Sequence, residues 1–166
     1  MKQVNWEAVC LRRAKFLRDE AREPEPVRDQ TVTYALRVIS NWATVGKDAG
    51  SAAIKWNNPR ISKKAWELYE SCSDREWEKQ TINEHPEPIA QVWKWIVDHC
   101  DKIEPADILA RAKKYPMVTV SKEEDAELGR QGFRSQGSPE ERYASIPLEE
   151  RAEPPTKRTG KESSRG

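Results

Sequence analysis

Glu84 and His85 stand side by side, and His99, Cys100 and Asp101 follow at the far end of one apolar helical pattern. A carboxylate beside an imidazole can move protons near neutral pH, and Glu84 with His85 is the natural pair for general acid–base chemistry. The residues between them argue against one joint site. A helix from Pro88 to His99 sets the two histidines roughly 15 to 20 Å apart at 1.5 Å of rise per residue, too far for a shared metal or a proton transfer. Each is better explained singly, His85 as a loop residue and His99 as a cation on a helix C-terminus. Cys10, Cys72 and Cys100 lack C-x-x-C spacing, and each falls on an apolar helical position, as core thiols do. No catalytic residue, metal ligand or cofactor motif is assigned, and an enzyme is the least favoured class.

A denser constellation runs from Lys55 to Trp66. Lys55, Trp56, Asn57, Asn58, Arg60, Ser62, Lys63 and Lys64 offer four cations, three hydrogen-bonding side chains and an indole without one acid among them. A phosphate backbone is met by such a set: cations for its charge, amides and a Ser-capped helix start for its oxygens, and a ring for an unstacked base. The competing interpretation is a polar loop with a proline turn whose two indoles, Trp56 and Trp66, are core. Trp95 and His99 form a third feature, i and i+4 neighbours beside an apolar stripe rather than within it, which suits an exposed patch for a protein partner.

The elements that must position these groups read as helices. Ile89, Val92, Trp93, Ile96, Val97 and Cys100 make one continuous helical stripe, and the other helices should pack on it. Trp6 to Arg22 repeats Trp6, Cys10, Ala14, Leu17 and Ala21 behind Asn5 as a cap, and prolines 24 and 26 end it. Arg28 to Val45 carries little polar circumference and stops at Gly46. Lys47 to Arg60 reads as a structured loop with one short element; a helix-turn-helix there lacks the inward hydrophobic residue its turn needs. Ser62 and Ser73 each start a helix, the second running to about Ile82, and Ile103 to Lys114 is another. Met117 to Val120 alternates like a strand, with Ala52 to Trp56 as its expected partner. Ser121 to Glu124 is a capping box for a short acidic helix ending before Gly129.

The fold expected is mainly α, a compact bundle of five or six helices over residues 4–128 with at most one short two-stranded β element. Residues 129–166 are rich in Gly, Pro, Ser and charge and are expected to form a flexible, disordered tail in which Arg142, Tyr143, Ile146 and Leu148 alone could dock. The start carries charge every few residues without an apolar h-region, and no run reaches a membrane span, so a cytoplasmic protein with no membrane contact is expected. The net charge of +1 excludes a nucleic-acid binder that works by bulk charge. Two functions compete: a nucleic-acid-associated accessory protein using the Lys55 to Trp66 segment, and a protein-interaction module or assembly subunit using exposed aromatics and the tail. Composition leaves the oligomeric state open.

Overall fold

The computed structural model describes residues 3–158. In chain order these form α1 (Trp6–Ala21), α2 (Gln30–Val45), α3 (Ser51–Lys55), β1 (Arg60–Ser62), α4 (Lys63–Ser71), α5 (Asp74–Gln80) and β2 (Thr81–Glu84). Then come α6 (Ile89–His99), α7 (Pro105–Lys114), β3 (Val118–Ser121), α8 (Lys122–Arg130), α9 (Pro139–Tyr143) and β4 (Leu148–Glu150). They belong to two compact units, each built from two separate stretches of chain: Met1–Ala49 with Glu87–Pro116, and Gly50–Pro86 with Met117–Gly166.

The first unit is helical. Asn5 accepts the Ala8 N–H at 3.0 Å to start α1, and Asp29 accepts the Val32 N–H at 2.8 Å to start α2, each satisfying an orphan donor of the first turn. The chain leaves α2 through Gly46 at φ +77°, a left-handed conformation that a side chain would strain. Cys10, Ala14, Leu17 and Ala21 of α1 face Val32, Ala35, Leu36, Ile39 and Trp42 of α2, Trp93 and Ile96 of α6, and Ile108 and Leu109 of α7, all buried in one cluster. Trp42 and Trp93 are the largest side chains of this cluster.

The second unit is α/β and corrects the all-α bundle expected from the sequence. Its helices α3, α4, α5, α8 and α9 accompany a four-stranded mixed sheet in the order β2-β3-β1-β4. β1 and β3 are parallel with Ile61 opposite Thr119, β4 is antiparallel to β1 with Leu148 opposite Ser62, and β2 is antiparallel to β3 with Glu84 opposite Val118. Strands of three or four residues are too short to print an alternating pattern, which is why the sheet is illegible in the sequence. β3 is buried along its whole length and has strands on both sides, so its apolar run marks a central strand rather than half of a hairpin. Its expected partner, Ala52 to Trp56, is instead α3 and the residue that caps it, and the end of the expected Asp74 to Ile82 helix is β2.

The expected disordered tail is corrected as well. Within residues 129–158 lie α9 and β4, the latter completing the sheet, and Arg142 and Ile146 are buried, whereas Leu148 is exposed. A segment with few apolar residues orders here through backbone pairing with β1 and through Arg142, not through a hydrophobic stripe. Residues 159–166 of the expected tail lie outside the described residues.

Candidate functional site

The eight residues of the Lys55 to Lys64 constellation are brought onto one unit, but four of them, Lys55, Trp56, Asn58 and Ser62, are buried. Lys55 is buried and its ammonium donates to the carbonyls of Glu78 at 2.6 Å and Thr81 at 2.7 Å, closing the C-terminal end of α5 where a cation is favoured. Its pKa is lowered, first by burial and then by Lys122. Trp56 is buried and donates its indole N–H to the Glu78 carboxylate. Asn58, fully buried, donates to the Met117 carbonyl at 2.9 Å and accepts the Arg60 N–H at 3.0 Å, tying β1 to the start of β3. Ser62 caps α4 by accepting the Ala65 N–H. Arg60 faces Glu150 at 3.2 Å and Lys64 pairs with Glu123. Asn57, which donates to the Ala53 carbonyl at 2.7 Å, and Lys63 remain at the surface.

Trp95 and His99 lie on the first unit. Trp95 is half-buried, with the Arg111 guanidinium 4.3 Å above its ring and His99 at 5.7 Å between centroids; His99 is exposed and donates its Nδ1–H to the Trp95 carbonyl at 2.8 Å. Arg111 is itself held by Glu87, its Nε–H reaching Oε2 at 2.8 Å. The indole is thus partly covered by a fixed cation of its own unit.

Glu84 turns away from acid–base chemistry with His85. Its carboxylate is buried with Arg142 and accepts from both the Arg142 guanidinium and the Tyr143 hydroxyl. Burial pushes the Glu84 carboxyl up to about 7 against the opposing pull of Tyr143 and Arg142. Arg142 also donates to the carbonyls of Phe133 and Gln136, which makes the cluster a clamp on the chain after α8. Burial likewise raises the Cys10 thiol to about 11, far from a reactive thiolate. Among the described residues no group of three or more His, Cys, Asp and Glu is placed to hold a metal ion, and no helix is long and apolar enough to cross a membrane.

The feature that the sequence did not disclose is an aromatic face on the second unit. Trp66 and Tyr69, at i and i+3 of α4, have centroids 4.9 Å apart; Tyr69 is 5.9 Å from Trp77 of α5, and Trp77 is 4.5 Å from Trp56. Trp77, fully buried, forms the floor and donates its N–H to the Ala65 carbonyl at 2.8 Å. Asp74 and Glu78 of α5 supply carboxylates at the rim. The Trp56 N–H, then Lys157 and Lys55, hold the Glu78 carboxyl below the usual carboxylate range.

Residues 151–158 lie along this face. The Arg151 guanidinium stands 3.6 Å above the Trp66 ring, Lys157 is 5.5 Å from the centroid of Trp56, and Arg158 is 4.7 Å from that of Tyr69. Pro155 is buried, and the Tyr69 hydroxyl donates to the Thr156 carbonyl at 2.9 Å. Arg158 donates to the Cys72 carbonyl at 2.5 Å and to that of Tyr69, the last carbonyls of α4, where the helix dipole favours a cation. The signal for this contact was present as Pro154 and Pro155 followed by two cations, a composition that reads as solvated tail until a ring is found for each charge. No protein-family model, no curated protein and no solved structure matches this chain.

Proposed function

We propose that the chain is a protein-interaction module, a subunit or adaptor that holds an extended segment of another polypeptide on the face built by Trp66, Tyr69, Trp77 and Trp56. One observation carries the reading: a stretch of the chain's own residues with no helix or strand already rests there, with rings, carboxylates and helix-end carbonyls meeting its cations. Aromatic grooves of this kind take proline-containing extended peptides because such peptides lose little entropy on binding. Nucleic-acid contact ranks behind it, since Lys55 is buried and Arg60 and Lys64 face carboxylates. A reducing, cytoplasmic setting suits the three free thiols.

The test is a random peptide library panned against the full-length chain carrying Lys157→Ala and Arg158→Ala, which removes the cations over Trp56 and Tyr69. Enriched peptides whose binding is lost on Trp66→Ala or Tyr69→Ala support the module. If no peptide is enriched while single- or double-stranded DNA or RNA binds saturably across a salt series, the nucleic-acid reading replaces it.

A further inference from the structure

We infer that the partner's segment has the chemistry Pro-Pro-x-Lys-Arg, and that residues 154–158 are a tethered copy of that ligand competing for the same face. The inference rests on the interaction-module reading and adds the ligand class and its intramolecular rival.

Each position of the segment meets a different feature. Pro155 is buried, and the backbone carbonyl of the next residue takes the Tyr69 hydroxyl. Thr156 itself is exposed, so that position accepts any residue. Lys157 has a ring in Trp56 and a carboxylate in Glu78 at 3.5 Å. The last position is made for arginine. Its guanidinium lies over Tyr69 and spans two carbonyls at the end of α4, while its own backbone N–H reaches Asp74 at 2.8 Å. Arg158 reaches the two carbonyls from separate nitrogens of one planar group that also lies over the ring, whereas a lysine must direct all its donors from a single nitrogen and would satisfy only part of this set.

Charge complementarity and the seated segment together name the occupant. Asp74 and Glu78 stand at the rim, and the cations they meet come from the chain itself. Only three residues separate β4, which ends at Glu150, from Pro154, so the segment is held at its site by a short tether. A tether of that kind gives an effective concentration on the order of millimolar, and a self-contact of roughly 100 µM intrinsic affinity then weakens a free ligand about tenfold. The contacts that close the face are rim-exposed cation pairs, which form and break readily.

The experiment titrates a fluorescently labelled Glu-Pro-Pro-Thr-Lys-Arg peptide with the full-length wild type and with the Lys157→Ala, Arg158→Ala chain, following anisotropy. The variant is expected to bind about tenfold tighter than wild type. A peptide with Gln at both cationic positions should bind the variant about tenfold more weakly, and one with Lys in place of Arg should fall between. Equal affinity of the two chains overturns the tethered-copy proposal, and equal affinity of the Gln peptide overturns the ligand class. Library binders of other chemistry would in either case leave the interaction module standing. If wild type forms a dimer that the double substitution abolishes, the face belongs to the tail of a second copy and the free-partner proposal fails. Should the double variant melt below wild type, Arg158→Gln alone serves as the uncovered chain, with the same outcomes.

Discussion

The Ser62 hydroxyl donates to Glu124 at 2.6 Å while it accepts the Ala65 N–H at 3.0 Å, so the cap of α4 is completed by the capping box of α8. The same carboxylate oxygen accepts the Ser121 N–H at 2.9 Å. β1 and β3 are parallel neighbours, and each runs straight into a serine-capped helix. Two positive helix ends therefore share one carboxylate, and the anion that the sequence around Ser62 invites is supplied by the chain.

Glu124→Ala should lower stability by about 1 to 3 kcal/mol, because it strips two buried donors of their acceptor. Glu123→Ala, which removes only the exposed partner of Lys64, should leave the denaturant midpoint where it is. Equal losses in urea titrations would refute the shared-carboxylate arrangement.

Stability should fall as pH rises from about 4.5 to about 7. Glu84 keeps its proton in the folded state up to about 7, whereas in the unfolded chain it ionises near its ordinary 4.5. The folded state therefore binds more protons across this window, and the stabilisation that is complete below it is lost through it, by about 3 kcal/mol. Glu84→Gln, which keeps the shape without the titration, should flatten that slope. Denaturant midpoints at pH 5 and pH 8 for both chains decide the matter.

Trp93→Ala should cost about 3 to 5 kcal/mol, since the side chain is buried in the helical cluster with Ile96. Trp95→Ala should cost less than half of that, because its ring is half-buried and loses chiefly the stack with Arg111. Equal midpoints for the two variants would place both indoles in the core.

The cations of the Lys55 to Lys64 segment should separate by role. Lys55→Met leaves the carbonyls of Glu78 and Thr81 without their donor and should cost about 2 to 3 kcal/mol. Lys63→Ala, on an exposed side chain, should leave the midpoint unchanged within about 0.5 kcal/mol. A Lys55 variant as stable as wild type would show that its ammonium is not part of the core.

Helix starts were the most legible part of the sequence. Asn5, Ser62, Ser73 and Ser121 cap where they were expected to, because a short oxygen-bearing side chain before an apolar repeat has one favourable use. The stripe of α6 and the stop at Gly46 were legible for similar local reasons. The sheet was not, since its four strands draw their order from pairings across up to ninety residues, as Arg60 with Glu150 shows. The aromatic face was half legible. Trp56 and Trp66 are conspicuous in the sequence, yet what covers them, Arg151 and residues 155–158, lies far along the chain in a composition that reads as solvated tail.

Because each unit is assembled from two stretches of chain, neither can finish folding as it is synthesised from one end. α1 and α2 emerge first, but α6 and α7, which bury their shared face, follow only after the whole of Gly50–Pro86. The second unit waits in turn for β3 and β4. Closing such long loops before their contacts form slows the search, and apolar stripes stay uncovered meanwhile. Refolding should therefore be slower than for a contiguous helical domain of this size, and chains halted before Pro116 should aggregate rather than accumulate as a folded half.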